Sequence, residues 1–236
     1  HLGDSMVVAG TRKRVKIHIH TNHPAKLYKI CHAYGQVVDR KVDDMTKQEH
    51  TIHHIKSNEI AIVVDSGADI PEEYINEIQV VPVRYSFGNQ QHIDRVTQST
   101  KEFYQQMEVD SNSPKTSQPT PGDFKKIYNF ISSHYNSIIS IHISKKLSGT
   151  YQSGVNAAKT IKVDNINIID SYSASVGLGL LAIYAVDLKQ SGKTYTQIIN
   201  KIELEKHSIQ VFLLLNDLKY IVRGGRLPKK IKTIAN

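Results

Sequence analysis

Three polar clusters in this sequence combine hydroxyls, carboxylates and glycine in a way that can grip an anion. They are Asp65-Ser66-Gly67, the stretch Ser144 to Thr150, and Asp170-Ser171, and each follows an apolar run. A fourth segment, Lys115-Thr116-Ser117-Gln118-Pro119, has the same hydroxyl-rich character. Hydroxyl donors beside a helix N-terminus make an anion site, because the first N–H groups of a helix lack partners within it and point outward. Ser148-Gly149-Thr150 fits that description, and Gly149 lets a ligand approach the backbone closely. A simpler role fits the same residues: Ser148 as a helix cap, Thr116 as a turn former, the acids as caps.

Other chemistries find less support. Leu147-Ser148-Gly149-Thr150 is not the G-x-S-x-G elbow of a nucleophilic serine, although His142 lies on a strand nearby. No G-x-x-x-x-G-K-[ST] loop occurs, and no G-x-G-x-x-G follows a strand. Val176-Gly177-Leu178-Gly179 lies inside an apolar helix, where close packing explains it better than a nucleotide does. His18 and His20 share one face of a strand and could both ligate zinc, but two ligands do not make a site. His50, His53 and His54 fall in a polar stretch, 46–58, that reads as a linker.

The elements that must position these groups follow from periodicity. Residues 1–46 read as β-β-α-β: Met6–Ala9, the alternating Val15–His20, a helix from Pro24 to about Tyr34 with Leu27, Ile30 and Cys31 on its apolar stripe, and a strand over Gln36–Val42. From Glu59 onward the text changes. Ile60–Val64 is a continuous apolar run, as in a parallel strand buried on both faces. Val80–Val83, Ser137–Ser144, Ile166–Ile169 and Val211–Leu215 read as further strands. Between them lie helices over 100–107, from Pro121, from Ser148, over 175–190 and 195–206, and one ending at Gly224-Gly225. Thr120-Pro121-Gly122-Asp123 opens the second of these with a cap, a first-turn proline and an acid. Alternation of strand and helix predicts an α/β fold with a doubly wound, mostly parallel sheet. Ligands in such sheets bind beyond the carboxyl ends of the strands, where the polar clusters fall.

Composition narrows the class. The chain has 236 residues, 30 Lys+Arg and 22 Asp+Glu, for a formal charge of +8. The cationic residues are spread along it, with clusters at Arg12-Lys13-Arg14-Lys16 and Lys229-Lys230-Lys232, and no nucleic-acid-reading motif accompanies them, so a nucleic-acid partner is not expected. No run approaches the roughly 20 apolar residues needed to span a bilayer. The single cysteine, Cys31, excludes an internal disulfide and suits a reducing, cytoplasmic setting.

Five motifs in order complete the reading: Asp65-Ser66-Gly67-Ala68-Asp69-Ile70-Pro71, Lys115 to Phe124, Leu147 to Ser153, Asp170-Ser171, and Leu218 to Arg226. Together they resemble the DegV family of bacterial fatty-acid-binding proteins, over residues 59 to about 230. Upstream, Gly3 to Asn22 and on to Gly35 resembles the end of the middle domain of a DhaL-related (dihydroxyacetone-kinase-like) protein, the large component of fatty acid kinase. The sequence begins and ends like a fragment. The expected division is therefore 1–57 as the end of a kinase-type middle domain plus linker, 58–205 as the first lobe of a DegV-like (EDD) fold, and 206–236 as the start of an incomplete second α/β lobe.

The resemblance implies a fatty acid held between two lobes, its tail in an apolar tunnel. Its carboxylate would be held by the hydroxyls of Thr116 and Ser148, with the backbone N–H groups of Ser117 and Gly149 nearby. Asp65, Ser66, Arg223 and Arg226 would form the rim or meet a partner; the two arginines equally suit a plain surface turn. The implied function is presentation of that carboxylate for phosphorylation by a DhaL-like kinase domain, fused or separate, towards phospholipid synthesis. In this reading the segment has no catalytic residue and no cofactor beyond its bound fatty acid. In the kinase middle domain, His18 and His20 match a zinc pair completed by a cysteine upstream of this sequence, and Cys31 sits on the wrong element to replace it. The alternative is part of a dihydroxyacetone-kinase-like enzyme acting on a small polyol or acyl substrate.

Overall fold

The computed structural model describes residues 2–11, 13–38, 40–42, 45, 60–163, 165–215 and 219–226. The expected linker with His50, His53 and His54, and the basic cluster at Lys229-Lys230-Lys232, lie outside the described residues. Two compact units emerge: residues 1–43 with 85–114, and residues 44–84 with 115–236.

The second unit is built on strands β3 (Ile60–Asp65), β4 (Ile78–Val81), β8 (Ser137–His142) and β9 (Ile166–Asp170). They run parallel in the order β4-β3-β8-β9. Every residue of β3 and β8 is buried, as the continuous apolar runs require. The pleat sends alternate side chains to opposite faces. Ile60, Ile62, Val64, Ile139 and Ile141 pack on one face with Leu178, Leu181, Ala185, Ile198 and Ile202. Those partners belong to helices α5 (Val176–Gln190) and α6 (Tyr195–Glu205). Ala61, Val63 and Ile138 pack on the other with Phe124, Tyr128 and Ile131 of α3 (Pro121–Ser132) and Ala157 of α4 (Thr150–Ala158). Two helices on each face make the unit doubly wound, as expected.

Local chemistry fixes the helix starts. Thr120 and Asp123 form a reciprocal capping box on α3, and Thr194 and Gln197 do so on α6. The glycines of α5 serve close packing. A Cβ on Gly179 would stand 2.0 Å from the backbone oxygen of Asp69. There the loop after β3 and the entry to α5 exchange Ser175 N–H to Gly67 O and Asp69 N–H to Ser175 O, at 2.9 and 3.3 Å. Ser175 adopts φ 54° to do so, a conformation costly for a residue with a Cβ.

In the first unit, β1 (Asp4–Gly10) pairs antiparallel with β2 (Val15–His20), and α1 (Pro24–Tyr34) follows. The strands β5 (Arg84–Phe87, entering this unit at Tyr85) and β6 (Gln90–Ile93) are neighbours, joined through Gly88 at φ 54°. The hairpin was not expected, although Arg84-Tyr85-Ser86-Phe87 alternates polar and apolar residues and Gly88-Asn89 suits a tight turn. Helix α2 (Thr100–Val109) starts with a Ser99–Glu102 capping box. Phe87 and Tyr85 are buried and meet Phe103 at ring-centroid distances of 5.6 and 5.1 Å.

Two expected strands do not form. The described residues of 36–42 have no regular structure, so the first piece is β-β-α rather than β-β-α-β. Arg40 there turns inward instead: its Nη2 donates to His32 Nε2 at 2.7 Å, and its Nη1 reaches His92 Nδ1 at 3.4 Å. Residues 211–215 are likewise non-regular, and Leu214 is 96% exposed. An apolar run becomes a strand only when an edge is available to pair with it, and among the described residues this one has none.

Two outcomes test this description. Gly179→Ala should cost about 1–3 kcal/mol in urea unfolding, because its methyl meets backbone rather than a movable side chain. Burial, the Arg40 charge and His32 together push His92 down to about 4. Its neutral form is thus favoured in the folded state, so its contribution is complete above pH 6.5 and is lost as pH falls from 6.5 towards 4. His92→Gln should flatten the pH dependence of stability in that window.

Candidate functional site

The carboxyl ends of β3, β8 and β9 bring three polar residues into line. Val64 pairs with Ile141 and His142 with Asp170, so Asp65, His142 and Asp170 end neighbouring strands at one edge of the sheet. The expected clusters radiate from this edge.

The loop from Ile143 to Gly149 is a tight turn. Ser144 O accepts from Leu147 and Ser148 N–H at 2.8 and 3.1 Å, and Ser144 N–H donates to Ser173 O at 2.8 Å. It delivers Ser148 to the start of α4, where its Oγ accepts from Thr150 N–H at 3.2 Å and bonds Thr150 Oγ1 at 2.8 Å. The cap position is Gly149, which has no side chain to offer the first turn. Ser148 and Gly149 are half-buried.

Thr116 and Ser117 lie on β7 (Lys115–Ser117) with exposed side chains. Gln118, the next residue, ties this segment to α4: its Nε2 donates to Ser153 Oγ at 3.1 Å. Its amide also covers Gly149, since a Cβ there would lie 2.1 Å from Gln118 Oε1. The hydroxyl-bearing strand and the open helix start are therefore neighbours. Hydroxyls, backbone N–H groups and a helix N-terminus without a side-chain cap suit a carboxylate and need no buried counter-charge.

Asp65 and Ser66, expected at the rim, are buried. Asp65 Oδ1 accepts from Gly67 N–H at 3.0 Å, Oδ2 accepts from Ile143 N–H at 2.9 Å, and His142 Nδ1 stands 3.2 Å from Oδ2. Ser66 Oγ accepts from Val83 N–H at 3.0 Å. His142 Nε2 meets Ser140 Oγ at 2.7 Å rather than Ser148, and Ser140 is fully buried. Asp170 Oδ1 accepts from Lys145 and Tyr172 N–H at 3.2 and 3.1 Å. The Asp65–His142–Ser140 chain went unnoticed in the sequence. Its signal is the polar residue at every second place in Ser140-Ile141-His142-Ile143-Ser144, running from the apolar strand β8 into the loop after it.

Arg223 ends the short helix α7 (Lys219–Arg223), and Arg226 follows the turn at Gly225, whose φ is 72°. Both are exposed, and Arg226 Nη1 donates to Gly224 O. His18 and His20 stand with ring centroids 5.4 Å apart, and His20 Nδ1 lies 3.7 Å from Asp4 Oδ1. Among the described residues no group of three or more His, Cys, Asp or Glu is placed to hold a metal ion. A cleft of about 490 Å³ in the first unit is lined by Asn22, Lys26, Lys29, Val96 and Glu102 among others, and none of the expected carboxylate-binding residues lines it. Among the described residues no helix is long and apolar enough to cross a membrane.

Comparison with known proteins agrees with the motif order. Residues 59–236 match the family described as uncharacterised protein, DegV family, and residues 1–52 match the FakA-like middle domain of fatty acid kinase. A DegV domain-containing protein of Staphylococcus aureus (strain COL) is 34% identical over 177 residues, covering 74% of this chain and 63% of that protein. The crystal structure of DegV, a fatty acid binding protein from Bacillus subtilis, superposes with a TM-score of 0.69 at 29% identity, covering 75% of this chain and 64% of that one. A DegV family protein from Thermus thermophilus, described by its fatty acid binding, gives 0.67 at 27%, covering 74% and 63%. The chain spans less than two thirds of the length of these relatives.

Gly149→Ala tests the local geometry. Its methyl should push the Gln118 amide aside and break the bond to Ser153, moving the Gln118 side-chain amide resonances. Stability should change by only about 0.5–1.5 kcal/mol, the value of one hydrogen bond.

Proposed function

Because the chain belongs to the DegV family, we propose that it is part of a module that binds a long-chain fatty acid and presents the carboxylate for phosphorylation. The observation that carries this reading is the seating of Gln118 over Gly149, which makes the Thr116 segment and the Ser148 loop neighbours at the start of α4. Thr116 and Ser148 supply hydroxyls to the carboxylate, and the N–H groups of Ser117 and Gly149 complete the cradle. Burying about 15 methylenes at about 0.8 kcal/mol each gives the tail a large driving force. The carboxylate must stay within reach of a phosphoryl donor, which suits a head group held by neutral donors at a loop rather than by a deep ion pair.

The match of residues 1–52 supports a DhaL-like kinase domain as partner, fused or separate, with the acyl-phosphate product going towards phospholipid synthesis. Exposed Arg223 and Arg226 suit contact with that partner or its phosphate. Fatty acid binding reported for the Bacillus subtilis and Thermus thermophilus relatives supports the ligand class.

Organic extraction of the purified protein should release a C14–C18 fatty acid. Thr116→Val with Ser148→Ala should weaken palmitate binding by about a hundredfold or more while the far-UV spectrum is retained, since each hydrogen bond to a charged group contributes about 1.5–3 kcal/mol. Unchanged affinity in the double variant would place the carboxylate elsewhere.

A further inference from the structure

Four polar side chains lie fully buried between the sheet and the helices α3 and α4: Asp65, His142, Ser140 and Tyr128. Tyr128 Oη meets Ser140 Oγ at 2.9 Å, Ser140 Oγ meets His142 Nε2 at 2.7 Å, and His142 Nδ1 meets Asp65 Oδ2 at 3.2 Å. One direction of donation satisfies the chain. Tyr128 donates to Ser140, Ser140 to His142 Nε2, and His142 Nδ1–H to Asp65. Asp65 then accepts three bonds, the other two from Gly67 and Ile143 N–H. A buried carboxylate needs that many donors, and removing any of them is costly.

This cluster touches the segment 143–154 at both ends. Asp65 holds Ile143 N–H, the first link of the loop that leads to Ser148. On α4, a Cβ at Gly154 would stand 3.2 Å from Tyr128 Oη and 3.3 Å from His142 Nε2, so the helix rests directly on the same groups. Between these supports the segment contains Ser148, Gly149 and the open start of α4. Between Ile143 and the helix lie the local turns at Ser144 and Ser148, and the same loop is also held by Ser144 N–H on Ser173 O and Lys145 N–H on Asp170 Oδ1.

We propose that Asp65 and His142 are positioning residues for fatty acid recognition: they fix the loop and helix start whose donors receive the ligand carboxylate, without touching it. The proposal rests on the carboxylate site described above. It assigns Asp65 an inward task and gives the alternation of polar residues in β8 a purpose. The sign of the effect separates it from simple electrostatics. Removing a buried negative charge near an anion site would tighten anion binding, whereas loss of positioning weakens it.

The test compares palmitate with hexadecanol, which has the same tail and no carboxylate, in the full chain. Asp65→Asn is nearly isosteric but offers one acceptor oxygen in place of two, so Gly67 or Ile143 N–H loses its partner. The palmitate-to-hexadecanol affinity ratio should fall at least tenfold, with hexadecanol affinity unchanged. Proportional loss of both ligands, an unchanged ratio or a raised ratio overturns the proposal. Should Asp65→Asn fail to fold, Ser140→Ala keeps the Asp65–His142 pair and removes the bonds of Ser140 Oγ to His142 Nε2 and Tyr128 Oη. It should lower the ratio about threefold, and an unchanged ratio there overturns the proposal equally. If the natural chain does not itself prefer palmitate, the carboxylate site falls, and the positioning role falls with it. A preference present in the natural chain and kept in both variants removes the positioning role alone.

Discussion

A single carboxylate joins the ends of the two central strands. Asp65 closes β3, and Ile143 N–H, just past the end of β8, donates to it, while Gly67 N–H anchors it to its own loop. Parallel strands are laid side by side by their ladder, but nothing in the ladder fixes what the chain does after leaving the sheet. Here that task falls to a buried side chain and to a backbone exchange between loops. Asp65 sets the loop after β8, and the exchange between Ser175 and residues Gly67 and Asp69 sets the entry to α5. The first of these contacts is one of three that hold the loop leading to Ser148, beside Ser144 N–H on Ser173 O and Lys145 N–H on Asp170 Oδ1.

The core supplies the rigidity that makes such contacts meaningful. Alternate residues of β3 feed two separate apolar clusters, one under α5 and α6 and one under α3 and α4. A loop hung on a sheet packed on both faces has little freedom to drift. The polar network through Tyr128, Ser140 and His142 lies inside this packing, with every member fully buried, so it is satisfied internally rather than by bulk water.

Much of this was legible because it is local. The apolar run Ile60–Val64, the cap at Thr120 and the glycines of α5 each announce their structure within a few residues. Ser148 at a helix start was equally plain. What escaped depends on distant partners. In the β5–β6 hairpin only β5 alternates; Gln90-Gln91-His92-Ile93 of β6 is too polar to do so. The runs 36–42 and 211–215 have strand character but no paired edge among the described residues. The inward turn of Asp65 needed the neighbour at residue 142, which spacing alone could not supply. The placing of Arg40 hid in the same way: it finds two imidazoles rather than a carboxylate, a pairing with no sequence signature.

The central claim is that an anionic head group sits at the start of α4, and amide chemical shifts report on that directly. Palmitate added to uniformly ¹⁵N-labelled protein should move the backbone N–H resonances of Ser117, Gly149 and Thr150 more than those of the buried strand β3. Saturable palmitate binding that leaves these three resonances in place would contradict the account.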